Sequence, residues 1–242
     1  MSATSETLTT EAPPYPRRER VYLALAATFV VTLVLTNIIG VKLFQAPFNP
    51  SFALTTGILT YPATFLLTDI VSEVYGKRRA DFMVVIGFFL SLFALGLIQL
   101  ALAVPAHPYW VPPAGAFYPD LEGYQRAFAS VFSLNGLLIA GSMGAYLVAQ
   151  LTDNYLFHFW KRLTRGKHLW LRNNGSTFIS QALDTLIVNA ILFYLGFGME
   201  WMVGLQIMLT IYLYKLALAA LDTPLVYLGV YAVRRLAQEP AR

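Results

Sequence analysis

The sequence predicts an all-α, polytopic membrane protein with six transmembrane helices and both termini cytoplasmic. Three observations carry that expectation. Only 12% of the 242 residues are charged and 57% are hydrophobic, whereas soluble domains run at about 25% charged. The apolar residues gather in long runs, each enough to cross a hydrocarbon core ~30 Å thick at ~1.5 Å per residue. The cations fall between the runs on alternate sides. Three lie in the N-terminal tail, three after Gly76, five between 152 and 175 and three at the C-terminus, against Lys42 and Arg126 in the outer connections. Cytoplasmic loops carry that excess of Lys and Arg.

The same totals exclude other classes. The chain has no cysteine, which removes disulfides, thiolate chemistry and Cys-type zinc sites. Its net charge of +4 sits in short loops as a topology signal, so no nucleic-acid partner is expected. The length suits one membrane domain over 21–235, flanked by a Ser/Thr/Pro-rich cytoplasmic tail at 1–20 and a second tail at 236–242.

Each span has its own signals. The first, 21–41, follows Arg17, Arg18 and Arg20 and carries a stripe of Thr28, Thr32 and Thr36 beside Asn37. The outer connection at 42–51 is broken by Pro47 and Pro50. The second span, about 52–75, contains Gly57 and Pro62, which predict a bend or an unwound turn. The third is roughly 82–104. A Pro-rich outer cap follows at 105–123, with Pro105, Pro108, Pro112, Pro113 and Pro119 beside Tyr109, Trp110 and Tyr118. The fourth span, about 127–151, holds two series of small residues, Gly136/Ala140/Gly144 and Gly141/Ala145/Ala149. Small faces allow close helix approach, within the chain or across a homodimer seam. The main inner loop is read at 152–175. The fifth span is about 176–196 and the sixth runs from Trp201 to about Val233.

The polar residues inside these spans carry the functional reading. Asp69 and Glu73 are four residues apart and share a helical face. Gln181 and Asp184 lie on one face with Thr177, and Lys215 and Asp222 are two turns apart on another. Gln150 and Asp153 fall at the inner end of the fourth span. Ionisable groups in lipid are costly and mark a substrate path, a proton relay or an ion-pair cluster that holds helices together. Walker A, HExxH and GxSxG motifs are missing. His107, His158 and His168 lack zinc spacing. No enzyme, cofactor or metal is expected.

The stretch 61–79, YPATFLLTDIVSEVYGKRR, resembles the queuosine precursor transporter family, also called the vitamin uptake transporter family. The likeness extends to Asn37 and Lys42, to Gln150 with Asp153, and to Trp170, Arg172, Ser176, Thr177, Gln181, Asp184 and Thr185. It reaches Lys215 and Thr223-Pro224 in the last helix. It covers about 21–235, with a longer N-terminal tail and a Pro-rich outer loop as the departures. The resemblance implies an inner-membrane importer of 7-deazaguanine precursors of the tRNA base queuosine, such as 7-cyano- or 7-aminomethyl-7-deazaguanine. A carrier for another planar nucleobase or vitamin, or a substrate-binding subunit of a vitamin importer, stands as the alternative.

Such a substrate suits these side chains. A deazaguanine edge offers adjacent N–H donors and an O6 acceptor, which a carboxylate and an amide can meet. Asn37, Tyr61, Phe65, Asp69, Gln181, Asp184 and Lys215 are the expected substrate-binding residues, with Tyr61 or Phe65 stacking on the base. Lys42, Glu73, Gln150, Asp153, Arg172 and Asp222 are expected to form a polar network or gate. The expected partners are the small molecule and the lipid bilayer, with a homodimer as the alternative to packing of the small-residue faces within the chain.

Overall fold

A computed structural model describes residues 15–40, 42–46, 49–110, 120–132, 136–196 and 198–238. The expectations for 1–14 of the N-terminal tail, for Pro47, Pro112, Pro113, Tyr118 and Pro119, for the side chains of Gly136 and Ala140, and for the last four residues lie outside the described residues and side chains.

Seven helices account for most of the described chain: α1 (Arg17–Ile39), α2 (Gly57–Val74), α3 (Lys77–Ala103), α4 (Leu121–Phe132), α5 (Gly136–Leu163), α6 (Leu169–Asn189) and α7 (Trp201–Ala237). A π-helical segment, Ala190–Gly196, extends α6. Among the described residues four elements are long and apolar enough to cross a membrane: Arg17–Ile39, Lys77–Ala103, Leu169–Gly196 and Trp201–Ala237. Of the six expected spans, the two that this set omits correspond to α2 and α5, which are joined by a run of side-chain hydrogen bonds.

The structure revises several boundaries. The connection at 42–51 is not a simple break. Leu43–Ala46 (β1) and Asn49–Thr55 (β2) pair antiparallel as a hairpin, and α2 therefore starts at Gly57 rather than near 52. A proline is tolerated in such a ribbon because each strand keeps an unpaired edge. The helix is continuous through Pro62. Within the expected outer cap the chain turns helical at Leu121, and α4 has one polar and one apolar side. The inner loop is much shorter than 152–175, because α5 continues to Leu163 and α6 starts at Leu169. Asp153 and Arg172 are thus helical residues.

The turn between α2 and α3 organises one end of the bundle. Gly76 has φ 89° and ψ 166°, a region that essentially only glycine enters. It lets the chain reverse directly from Tyr75 into Lys77. The residues around it clasp the start of α1. Arg79 forms a two-pronged ion pair with Glu19 at 2.7 and 2.8 Å. Its guanidinium lies 5.0 Å from the Tyr22 ring centre. The Tyr75 hydroxyl donates to the Arg18 carbonyl at 3.0 Å, and the Arg18 guanidinium donates to the Val74 carbonyl at 3.2 Å. Cations read as topology signals are therefore also structural.

Behind this turn, Phe29 and Leu33 of α1, Val71 of α2, Met83 and Val84 of α3 and Met143 and Tyr146 of α5 form the main apolar core. Gly87 permits it, since a Cβ there would stand 2.8 Å from Phe29. A second cluster packs Ile70 of α2 on Val226, Val230 and Val233 of α7. Outward faces carry Phe82, Phe89, Phe93 and Leu97 on α3 and Leu209, Leu213, Leu221 and Leu228 on α7. So large an exposed apolar surface suits lipid and would be an aggregation hazard in water. Of the two small-residue series, Ala145 and Ala149 are buried, and Gly141 lies against Ile191. That series packs within the chain. Gly144 of the other series meets open space.

Candidate functional site

Two neighbouring features hold the buried polar residues. The first is a seam between α2 and α5. Thr64, Thr68 and Ser72 recur at four-residue spacing on α2, so they line one stripe beside Asp69. Thr68 donates to the Gln150 side-chain oxygen at 3.2 Å, and the Gln150 amide reaches Thr64 at 3.4 Å. Between that rung and the next, formed by Ser72 and Asn154, the buried Asp69 of α2 faces the buried Asp153 of α5. One turn further, Ser72 donates to Asn154 at 3.2 Å, and Asn154 donates to Asp81 at 3.1 Å. Ser180 of α6 closes the seam from a third helix by donating to Asp153 at 2.8 Å. Every residue of the ladder from Thr64 to Asn154, apart from Asp81, is essentially inaccessible. Buried polar groups need such pairing, because an unpaired one costs ~1–3 kcal/mol.

The second feature is a narrow, half-open cleft where α2, α6 and α7 meet. Tyr61 and Pro62 line it from α2, Thr177 and Gln181 from α6, and Lys215 and Asp222 from α7. The Lys215 ammonium forms an ion pair with Asp184 at 2.5 Å and sits 4.8 Å from the centre of the Tyr61 ring. Tyr61 in turn packs on Phe65, ring centres 5.0 Å apart. The side-chain oxygen of Gln181 has no hydrogen-bond partner and is buried. The cleft thus offers an aromatic face, a carboxylate, an ammonium and an unspent amide oxygen within one small volume.

A third cluster sits beyond the seam at Glu73. Its carboxylate meets Lys161 of α5 at 2.9 Å, Arg172 of α6 at 3.3 Å and Arg234 of α7 at 2.8 Å. One anion therefore draws cations from three helices to the end of α2.

The residues expected from sequence divide among these places. Tyr61, Gln181, Lys215 and Asp222 line the cleft, Asp184 is held at it by Lys215, and Phe65 backs Tyr61. Asp69, Gln150 and Asp153 belong to the seam. Glu73 and Arg172 belong to the clasp. Asn37 lies in neither, and its amide donates to the Leu33 carbonyl at 3.2 Å and approaches the Met143 sulfur at 3.7 Å. Lys42 is exposed beside the hairpin. Sequence reasoning passed over Thr64, Thr68, Ser72, Asn154, Lys161 and Arg234. The four-residue spacing of the α2 hydroxyls was the available signal. Among the described residues no group of three or more His, Cys, Asp or Glu is placed to hold a metal ion.

With that geometry in place, similarity to known proteins adds an independent line. The family described as "Putative vitamin uptake transporter" matches residues 55–229, a span that takes in the cleft, the seam and most of the clasp. A Bacillus subtilis (strain 168) protein called "Probable queuosine precursor transporter" is 30% identical over 174 residues, covering 72% of this chain and 70% of its own length. A Haemophilus influenzae protein of the same description is 25% identical over 177 residues, covering 72% of this chain and 66% of its own. No solved structure matches.

Proposed function

The chain belongs to the vitamin uptake transporter family, a family of membrane transporters and not of enzymes, and from that premise we propose that it imports a 7-deazaguanine precursor of queuosine. The observation that carries this reading is the cleft itself. Its Tyr61 face accepts a planar ring, and stacking of a base on an aromatic side chain contributes ~1–3 kcal/mol in nucleic-acid sites. Asp184 accepts the adjacent N–H donors of the guanine-like edge. Lys215 or the Gln181 amide meets O6, and the Gln181 oxygen is free for a further N–H. The names of the two relatives support the same substrate class. Asp222 and Thr177 complete the polar rim.

The reading carries a topology with it: six spans, both termini cytoplasmic, in the inner membrane. On that topology the Glu73 clasp lies at the cytoplasmic end of the bundle, where its cations satisfy the positive-inside rule. Opening the clasp would open the path inward.

Binding of 7-cyano-7-deazaguanine to the purified protein, with guanine and adenine as competitors, tests the substrate. Tight binding that resists guanine is expected. Asp184→Asn should retain part of it and Asp184→Ala should lose at least tenfold. A second reading, a carrier for another planar nucleobase or vitamin, rests on the family description. It gains if guanine or a vitamin competes as well as the deazaguanine.

A further inference from the structure

Asp69 and Asp153 are not used by the cleft, and their surroundings differ from those of the ion-paired acids. Glu73 has three cations, Asp184 has Lys215, Asp81 has Lys77 and the Asn154 amide, Glu19 has Arg79, and Glu122 has Arg126. Asp69 and Asp153 have each other. Both are about 1% exposed or less. Asp69 Oδ1 and Asp153 Oδ2 find no donor in the surrounding protein. The groups packed around the pair are the Ser180, Ser176 and Thr177 hydroxyls of α6, with Asp222 of α7 and Tyr61 of α2 at longer range. No ammonium or guanidinium faces it among the described residues.

Two ionised carboxylates in contact in a dry place repel strongly, and such pairs are stable only when they share a proton. A proton between them also supplies the donor that both orphaned oxygens lack. We propose that the Asp69–Asp153 pair is the proton-binding site that couples transport to a proton gradient, an inference that rests on the transport reading above. Helix α6 links it to the cleft: Thr177 lines the cleft, and Ser180, one turn on, has its hydroxyl 2.8 Å from Asp153 and 3.1 Å from the Thr177 carbonyl. Occupancy of the cleft then acts on the pair through one turn of α6. The pair joins α2 to α5, so losing its proton turns a hydrogen bond between two helices into a repulsion. Alternation between two packings of α2 on α5 has its driving force there.

The test uses the full-length protein in liposomes with labelled 7-cyano-7-deazaguanine. Wild-type protein should exchange label at equal pH. With the outside one pH unit more acidic it should accumulate label up to about tenfold, the ratio one proton per substrate sustains. Asp153→Asn should exchange label but accumulate none. Accumulation that ignores the pH gradient, or that follows a sodium gradient instead, overturns the proposal. Absence of exchange by wild-type protein overturns the substrate, not the pair. Infrared spectroscopy then decides the pair alone: a protonated-carboxyl band at neutral pH should be present in wild-type protein and diminished in both Asp69→Asn and Asp153→Asn. An unchanged band in both variants overturns it.

Discussion

Asp69 and Glu73 stand one helical turn apart on α2 and live in opposite electrostatic worlds. Glu73 is surrounded by Lys161, Arg172 and Arg234. Asp69 faces a second carboxyl, with hydroxyls around the pair. Residue type and spacing are nearly the same, so the difference comes from what other helices present at each depth. At the end of the bundle, long cationic side chains reach in from α5, α6 and α7. A turn deeper, only short hydroxyls and another acid fit. An anion ringed by cations is a structural tie, whereas an acid paired with an acid holds an exchangeable proton.

The largest expected effect breaks the tie. Glu73→Ala leaves three cations converging on an empty place. Removing one partner of a buried pair costs ~3–5 kcal/mol. Because Lys161 and Arg234 reach solvent here, about 3 kcal/mol is expected, read as a fall in unfolding temperature in detergent. Next comes Gly76→Ala. A Cβ there meets nothing within 4 Å, so the whole cost is backbone strain, about 2 kcal/mol. Losing as much stability through Gly76 as through Glu73 would show that the turn, not the ion pairs, holds this end together. Tyr75→Phe removes the hydroxyl bonded to the Arg18 carbonyl and should cost about 1 kcal/mol, with α1 loosening first in hydrogen exchange. Asp69→Asn sits at the bottom, under about 1 kcal/mol, because an amide can replace a protonated acid nearly isosterically. A stability loss at Asp69 equal to that at Glu73 would erase the contrast between the two.

Much of this was legible in the chain and some of it could not be. The apolar runs announced α1, α3, α6 and α7, because lipid demands long uncharged helices. The stretch 61–79 announced its own importance through Asp69, Glu73 and Gly76. The faces shared by Gln181 with Asp184, and by Lys215 with Asp222, follow from helical spacing alone, and these residues do meet at the cleft. The extension of α5 to Leu163 was hidden because its later turns are polar, and Lys161 and Arg162 read as loop cations. The hairpin was hidden because two prolines outweighed a short β-prone run. The partners of Glu73 come from positions 88, 99 and 161 residues away, and no local pattern encodes such convergence. Asn37 shows the converse. A lone amide in an apolar helix invites a ligand, yet its own preceding turn supplies an acceptor.

The length of α7 has a mechanical consequence. Its 37 residues extend about 55 Å at ~1.5 Å per residue, well beyond the ~30 Å that a hydrocarbon core requires. Such a helix either leans in the bilayer or projects from it. Lys215 and Asp222 both ride on it, while Tyr61 and Gln181 stand on shorter neighbours. Any change in lean shifts one wall of the cleft relative to the other two. The thickness of the surrounding membrane is thus a variable of the binding site, and uptake should respond to acyl-chain length in reconstituted bilayers.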